Sequence, residues 1–525
     1  MRAVQQFPPG PRPLSALSSD FPLTIQAFSQ LADGGISALS HIQQLDRGFL
    51  VRPESARLAV DSTVAVPGEF DVVLAGGGLS LFYAAYLSAQ GLRVAVFDRR
   101  PIGAGHREWN VSRAELSSLV QSGLFSDPEV EKLVLMKYRT GVCRFADGPN
   151  YWVSGVLDCV VDADKLLSRL HTVCSQQGVL LLSGYTFRGY RVDASGVTVR
   201  IASVQQPDRE RTLRARLLLD GLGALSPHAR FDLCCPTVGG VMDGLQIGSA
   251  RTEMDPQVGE ILVTTEGIES GRQHIWEGFP TCSATETAAD SRKMTVYLFY
   301  YLRTELLPSH GPRPLLSLYE RYFATLHRYK RGPLRLVRPT YGYIPAYTRL
   351  ADMPTAPRDR VLLVGDAAGR HSPLTFCGFG SMVRSFLPIS DGIVRLLKGN
   401  CLDVASLEKL WFEPSALKVV GGLTLMMSPP LGSDGLDEPS AVNDLLNAAF
   451  STLYAQGQEA YRRFLQDDTD AQTFVRFMAG AARKYPDVYS MVFRYLSLQE
   501  IAIWLYRLWQ LSRVTRGAVY QTKTC

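Results

Sequence analysis

The segment from Phe70 to Asp98 limits the folding options of this chain more than any other. Phe70-Asp-Val-Val-Leu-Ala75 reads as a short buried strand, Gly76-Gly77-Gly78 follow at once, and Leu79 to Gln90 is helix-like. Leu92-Arg-Val-Ala-Val-Phe97 is then a second strand, ending in Asp98. Together they form a βαβ unit. Glycines at that turn let the backbone approach a pyrophosphate, which would sit at the positive end of the following helix. Asp98 stands 98 − 76 = 22 positions on, where an acid accepts from ribose hydroxyls. Leu81 occupies the place of the third fingerprint glycine, so helix and strand should pack less closely than in the standard motif. A plain α/β turn is the competing reading of this segment alone.

Three later elements weigh against that alternative. Leu217-Leu-Leu-Asp220-Gly221-Leu222-Gly223 ends a run that alternates from Gly184, expected as a small antiparallel meander. Leu362-Leu-Val-Gly365-Asp366-Ala367-Ala368-Gly369 puts an acid at a strand end, where it can take a hydrogen bond from a polyol chain. NAD has no such chain, whereas FAD has its ribitol. Ser372 to Gly380 is a loop carrying Gly378 and Gly380 into a helix, suited to close contact with a flat ring and to stabilising negative charge on it.

This set resembles the flavoproteins that include aromatic hydroxylases, geranylgeranyl reductases and lycopene cyclases. Arg107-Glu108-Trp109-Asn110-Val111-Ser112-Arg113, Trp276-Glu277-Gly278-Phe279-Pro280, Tyr341-Gly342-Tyr343-Ile344-Pro345 and the Gly365 to Gly380 loop narrow the resemblance. They are similar to the CruA/CruP-type lycopene cyclases of cyanobacteria and plastids, most of all the CruP branch, over about Phe70 to Leu397. The chain departs from that pattern at Arg370-His371 and at Cys377. The resemblance implies an α/β protein: a Rossmann-like FAD-binding fold with a mixed-sheet substrate domain and a helical C-terminal region. It implies reduced FAD as cofactor, NAD(P)H at most as an indirect reductant, and a carotenoid substrate such as lycopene.

Cyclising a carotene end group needs a proton delivered to one double bond, a carbocation that closes onto the next, and a proton removed, with no net redox change. A carboxylate, aromatic faces and a nearby negative charge are the expected parts. Glu277, at an apparent strand end beside Trp276 and Phe279, is the catalytic candidate, against the plainer reading of an ion-paired surface carboxylate. Arg113 is expected against the FAD phosphates, as related flavoproteins place an arginine, or else solvated at a capped helix start. The expected flavin contacts are thus Gly76, Gly77, Gly78, Asp98, Arg113, Gly365, Asp366, Gly378 and Gly380. Glu108 and His371 are reserve proton carriers, and Tyr297, Tyr300, Tyr341 and Tyr343 are expected pocket lining unless strand alternation alone explains them. Two rivals remain open: a carotenoid or isoprenoid monooxygenase or reductase, and a non-catalytic, photoprotective carotenoid-binding paralogue.

Composition sets the outer limits. The 525 residues divide by pattern into a leader at 1–60, partly disordered or targeting, a first FAD-binding part at 61–235 and a substrate domain at 236–350. A second FAD-binding part covers 351–400 and a helical region 401–525. Within the leader, Ile25 to Leu45 is expected as one amphipathic helix. A net charge of +5 is too weak a field to suggest nucleic acid, and nine cysteines without C-x-x-C or Cys/His spacing argue against zinc or any other metal. No apolar run is long enough to span a membrane. From Met491 to Cys525 five cations against Glu500 give 5 − 1 = +4, and Ile501, Leu505, Leu508 and Trp509 share one stripe. Such a helix can lie in a membrane interface or pack on its own domain. With a lipid-soluble substrate, the expectation is peripheral attachment to a thylakoid or envelope membrane of the plastid.

Overall fold

The computed structural model describes residues 14–50, 64–105, 109–229, 231–282, 291–306, 313–350, 358–369, 374, 378–410, 416–430 and 438–513. The βαβ unit forms as its pattern predicts. Strand Val64–Ala75 leads through the glycines into helix Leu81–Ala89 and returns as Val94–Asp98, pairing in parallel with the first strand from Val72↔Val94 to Ala75↔Phe97. Val94 to Phe97 are all buried, as an interior strand of a parallel sheet covered on both faces requires. Along the first strand Val72 and Leu74 face one apolar cluster, while Val73 and Ala75 face another.

This first sheet has seven strands. Leu180–Ser183, Val94–Asp98, Val64–Ala75 and Glu210–Asp220 run parallel, and Gly196–Ser203 and Tyr185–Asp193 continue it antiparallel. Strand Val361–Leu363 joins Leu218–Asp220 in parallel. The expected meander therefore exists, and its last strand also serves as the partner of the glycine-loop strand. Helices Leu81–Ala89, Ala163–Gln176 and Gly378–Gly399 cover one face in a shared apolar cluster.

The second sheet has eight strands, mostly antiparallel, with Leu233–Asp243 paired to both Lys293–Phe299 and Arg335–Ala346. Two of its strands, Thr140–Phe145 and Tyr151–Val153, come from the segment that the pattern assigned to the first domain. The division at residues 235/236 is thus crossed by the chain, because Thr140–Phe145 pairs in parallel with Val258–Thr264 rather than with its sequence neighbours alone. A small three-stranded sheet, Trp109–Val111, Cys159–Val161 and Val134–Lys137, stands beside them.

The leader from Leu14 is helical, but not as one element. Gly34 and Gly35 take positive φ of 63° and 74° and break the expected helix into Pro22–Phe28 and Ile36–Leu50. A side chain at Gly35 would meet the Phe28 Cβ at 2.6 Å, so the turn depends on glycine. Leu17, Phe28, Leu39 and Ile42 are buried with helix Pro314–Tyr329 on one face of the second sheet. The opposite face packs against the C-terminal helices. Among the described residues no helix is long and apolar enough to cross a membrane.

Candidate functional site

At the carboxyl ends of the parallel strands lies a cleft of about 440 Å³, the position where open α/β sheets bind their ligands. Gly76 has φ of 110°, and a Cβ there would stand 2.5 Å from the Gly221 carbonyl oxygen. Two strand ends meet at that point: Gly221 N–H donates to the Ala75 carbonyl at 2.8 Å. Gly77 N–H donates to Asp98 Oδ2 and Arg100 N–H to Asp98 Oδ1, each at 2.8 Å. The Asp98 carboxylate therefore braces the glycine loop from the next strand, and each of its oxygens keeps acceptor capacity for a ligand hydroxyl. Gly78 is different. No atom lies within 4 Å of where its Cβ would be, and it lines the cleft ahead of helix Leu81–Ala89. That is a cradle which a side chain would fill and which a pyrophosphate fits. Leu81, at the missing third glycine, is fully buried among the sheet residues Val72 and Leu74, so apolar packing replaces close backbone approach there.

The other wall comes from far along the chain. Gly365 and Asp366 begin a 3₁₀ turn directly after strand Val361–Leu363, and both line the cleft. Val364 N–H donates to the Asp220 carbonyl at 2.9 Å, locking this turn to the first sheet. The Asp220 carboxylate itself is buried and accepts from Ser226 Oγ at 2.5 Å and Leu222 N–H at 3.1 Å. Burial raises its pKa, and its bonds hold the 221–226 loop at the cleft edge. Gly378 lines the cleft at the start of helix Gly378–Gly399.

Gly77 does not line the cleft itself, since a Cβ there would meet the Ile102 side chain at 2.6 Å, and three further expected residues are placed otherwise. Arg113 lies just past strand Trp109–Val111, where its N–H donates to Asp158 Oδ1 at 2.5 Å, and its guanidinium pairs with Glu131 and does not line the cleft. Its place is taken by Arg99 and Arg100, which do line it. Burial first, and Arg100 second, lower the Arg99 pKa, and an anion bound beside Arg99 would offset that effect. The signal was present as two arginines directly after Asp98. Gly380 turns away from the cleft lining: a Cβ there would meet Glu115 Oε2 at 2.5 Å, so this glycine serves helix packing. Trp109, within the Arg107 to Arg113 motif, lines the cleft and stacks on Phe379 with ring centroids 4.8 Å apart.

Glu277 is the third. It lies in the middle of strand Ile275–Thr281 rather than at an end, opposite Tyr297. Alternation sends Trp276 to the other face, where it stacks on Tyr329 at 4.8 Å. Glu277 shares its face with Ile275 and Phe279, and it is half-buried. Those two residues belong to an apolar cluster that also holds Tyr297, Tyr301 and Leu374. Tyr301 donates to the Leu374 carbonyl at 2.9 Å, which ties this face to the loop ahead of Gly378. Tyr341 and Tyr343 sit elsewhere, packed towards the leader helices. Glu108, His371 and Cys377 lie outside the described residues.

No family model matches this chain, and no curated protein matches it. Solved structures do. A geranylgeranyl bacteriochlorophyll reductase-like protein from Thermoplasma acidophilum aligns with a TM-score of 0.57 at 15% identity, over 82% of this chain and 99% of its own. The halogenase PltM, in complex with phloroglucinol and FAD, aligns with a TM-score of 0.53 at 13% identity, over 84% of this chain and 91% of its own. At such identities the likeness is one of architecture: this chain shares the Rossmann-like α/β fold of these proteins, with a second mixed sheet and a helical C-terminal region.

Proposed function

We propose that the cleft binds FAD and that the protein is a flavin-dependent, lycopene-cyclase-like enzyme acting on a carotenoid in plastids. The cofactor reading is supported by the open cradle at Gly78, the braced Asp98, the cationic pair Arg99 and Arg100, and Asp366 on the far wall. Bound flavin would supply a flat ring carrying negative charge beside the substrate. One observation carries the substrate reading: Ile275 and Phe279, which flank Glu277 on its face of the second sheet, share a single buried apolar cluster with Leu374 of the ring loop.

On that face, Glu277 would deliver and later reclaim a proton at the carotene end group, so that substrate and product are isomers. Phe279, Tyr297 and Tyr301 would hold apolar chain and present ring faces to positive charge. Their close packing also keeps water from quenching a carbocation. The similarity in fold to a reductase-like protein and a halogenase favours one rival, a redox enzyme that consumes NAD(P)H.

The test is anaerobic incubation of the purified protein with reduced FAD and lycopene in liposomes, followed by chromatography of the pigments. A cyclised carotene without NAD(P)H oxidation is expected. Oxidised or saturated product linked to NAD(P)H oxidation would select the redox rival, and unchanged carotene with both ligands bound would select the non-catalytic paralogue. Protein unable to take up FAD would remove the cofactor reading itself.

A further inference from the structure

Folding divides the expected interfacial stripe on the last helix: Ile501 and Leu508 turn inward, while Leu505 and Trp509 stay exposed. Ile501, Ile503, Trp504 and Leu508 of helix Leu498–Ser512 pack against the buried cluster of the C-terminal region. Trp504 Nε1 donates to the Val419 carbonyl at 3.0 Å, and Glu500 pairs with Arg303 at 2.8 Å. This helix is therefore fixed to the protein by one side. Its other side carries Leu498, Leu505, Tyr506 and Trp509, and the preceding helix Val488–Tyr495 turns out Tyr489 and Phe493 while burying Met491 and Tyr495.

These six side chains are exposed from 47% at Trp509 to 77% at Leu498. Six of the fifteen exposed large hydrophobic residues among the described ones thus fall within two short consecutive helices. Scattered single apolar residues are ordinary on a surface; a concentration of this kind marks a partner.

Charge tells which partner. From Ile501 to Cys525 the sequence has Arg507, Arg513, Arg516 and Lys523 and no acid. Arg494 is exposed between Phe493 and the last helix, and the Arg513 guanidinium lies 3.8 Å from the centroid of the Trp509 ring. The acids in the two helices and their approach are Asp487 and Glu500, and the latter is already paired with Arg303. Two copies of such a face would bring like charges together. An anionic bilayer instead offers phosphates to the arginines and acyl chains to the leucines and Phe493, with tryptophan and tyrosine at the boundary.

We infer that the outward face of helices Val488–Tyr495 and Leu498–Ser512 is a docking surface for an anionic lipid bilayer, on which the protein rests without crossing it. This does not depend on the reaction assigned above, since neither helix contributes to the lining of the nucleotide cleft. The experiment is flotation of the full-length protein with vesicles of phosphatidylcholine alone and of phosphatidylcholine and phosphatidylglycerol. Protein should float with the mixed vesicles and be released by high salt. The triple variant Phe493→Ser, Leu505→Ser, Trp509→Ser should lose at least about 10-fold in partitioning. Arg494→Gln with Arg513→Gln should weaken binding to the mixed vesicles while leaving the weaker binding to neutral ones unchanged. Ile36→Ser removes an exposed apolar residue from the leader and should change nothing. Circular dichroism and light scattering accompany each sample. Equal flotation of folded wild type and triple variant would overturn the inference. So would a lipid-free dimer that the triple variant converts to monomer, because the occupant would then be a second copy of the chain.

Discussion

The two sheets solve the problem of building a site in opposite ways. In the first, the candidate site is made of backbone: Gly76, Gly77 and Gly78 shape the cradle, and Asp98 acts on the loop's own N–H groups. In the second, the backbone only sets an alternation, and the chemistry lies in which side chains share a face: Glu277 with Phe279 on one, Trp276 with Tyr329 on the other. Backbone sites tolerate almost no added atom. Side-chain sites keep their shape under conservative substitution and lose their chemistry instead.

The sharpest way to break this contrast is at the glycines. Gly78→Val should leave the protein folded, since its Cβ meets open space, yet lower FAD affinity by about 100-fold or more by displacing the pyrophosphate. Gly76→Val should instead fail to fold, because of its positive φ and the Gly221 carbonyl. Flavin titration beside thermal melting separates the two. If both variants fold and bind FAD normally, the cleft is not a backbone site.

Next in size is Glu277→Gln. It should retain flavin and carotenoid and lower turnover by about 100-fold, the usual scale for a positioned acid or base. Glu277→Asp should keep part of the activity. Equal cyclisation rates for wild type and Glu277→Gln would move the proton to another group.

A buried acid on the leader side of the second sheet offers a smaller effect. Asp46 accepts from Tyr343 Oη at 2.5 Å and Leu315 N–H at 3.1 Å, and burial raises its pKa to about 6 despite those bonds and nearby Arg313. A carboxyl whose folded pKa is raised favours folding below its unfolded pKa and loses that contribution as pH rises through about 6. Asp46→Asn should therefore melt higher than wild type at pH 7.5, by on the order of 2 kcal/mol, and show little difference near pH 4. Parallel melting curves at the two pH values would show that Asp46 does not titrate in this range.

The smallest expected effect contrasts two arginine sites. Arg99→Gln should weaken FAD about 10-fold if its guanidinium meets a phosphate. Arg113→Gln should leave FAD affinity unchanged and alter stability by less than about 1 kcal/mol, since its partner Glu131 is an exposed carboxylate. Reversal of that order would return Arg113 to the cofactor.

The glycine turn, the acid at the end of the second strand, the meander and the Gly365-Asp366 turn could all be read along the chain. Each depends on contacts within a short segment or on a backbone conformation that only certain residues adopt. Glu277 could be chosen as an acid in an apolar strand, but whether Trp276 lay beside it required the register, and one residue of offset exchanges faces. Arg113 and Arg99 were equally available by composition; what separated them was tertiary placement, which pairs Arg113 with Glu131 and sets Arg99 in the cleft wall. The same holds for the tail. Its amphipathic period was visible, yet Ile501 and Leu508 became interior and Leu498 and Trp509 exterior only when Trp504 seated on Val419. Sequence determined where the backbone can bend and which stretches must be buried, because those are local properties of residues. Which side of a buried stretch meets its neighbour was decided by tertiary packing, since that depends on partners hundreds of positions away.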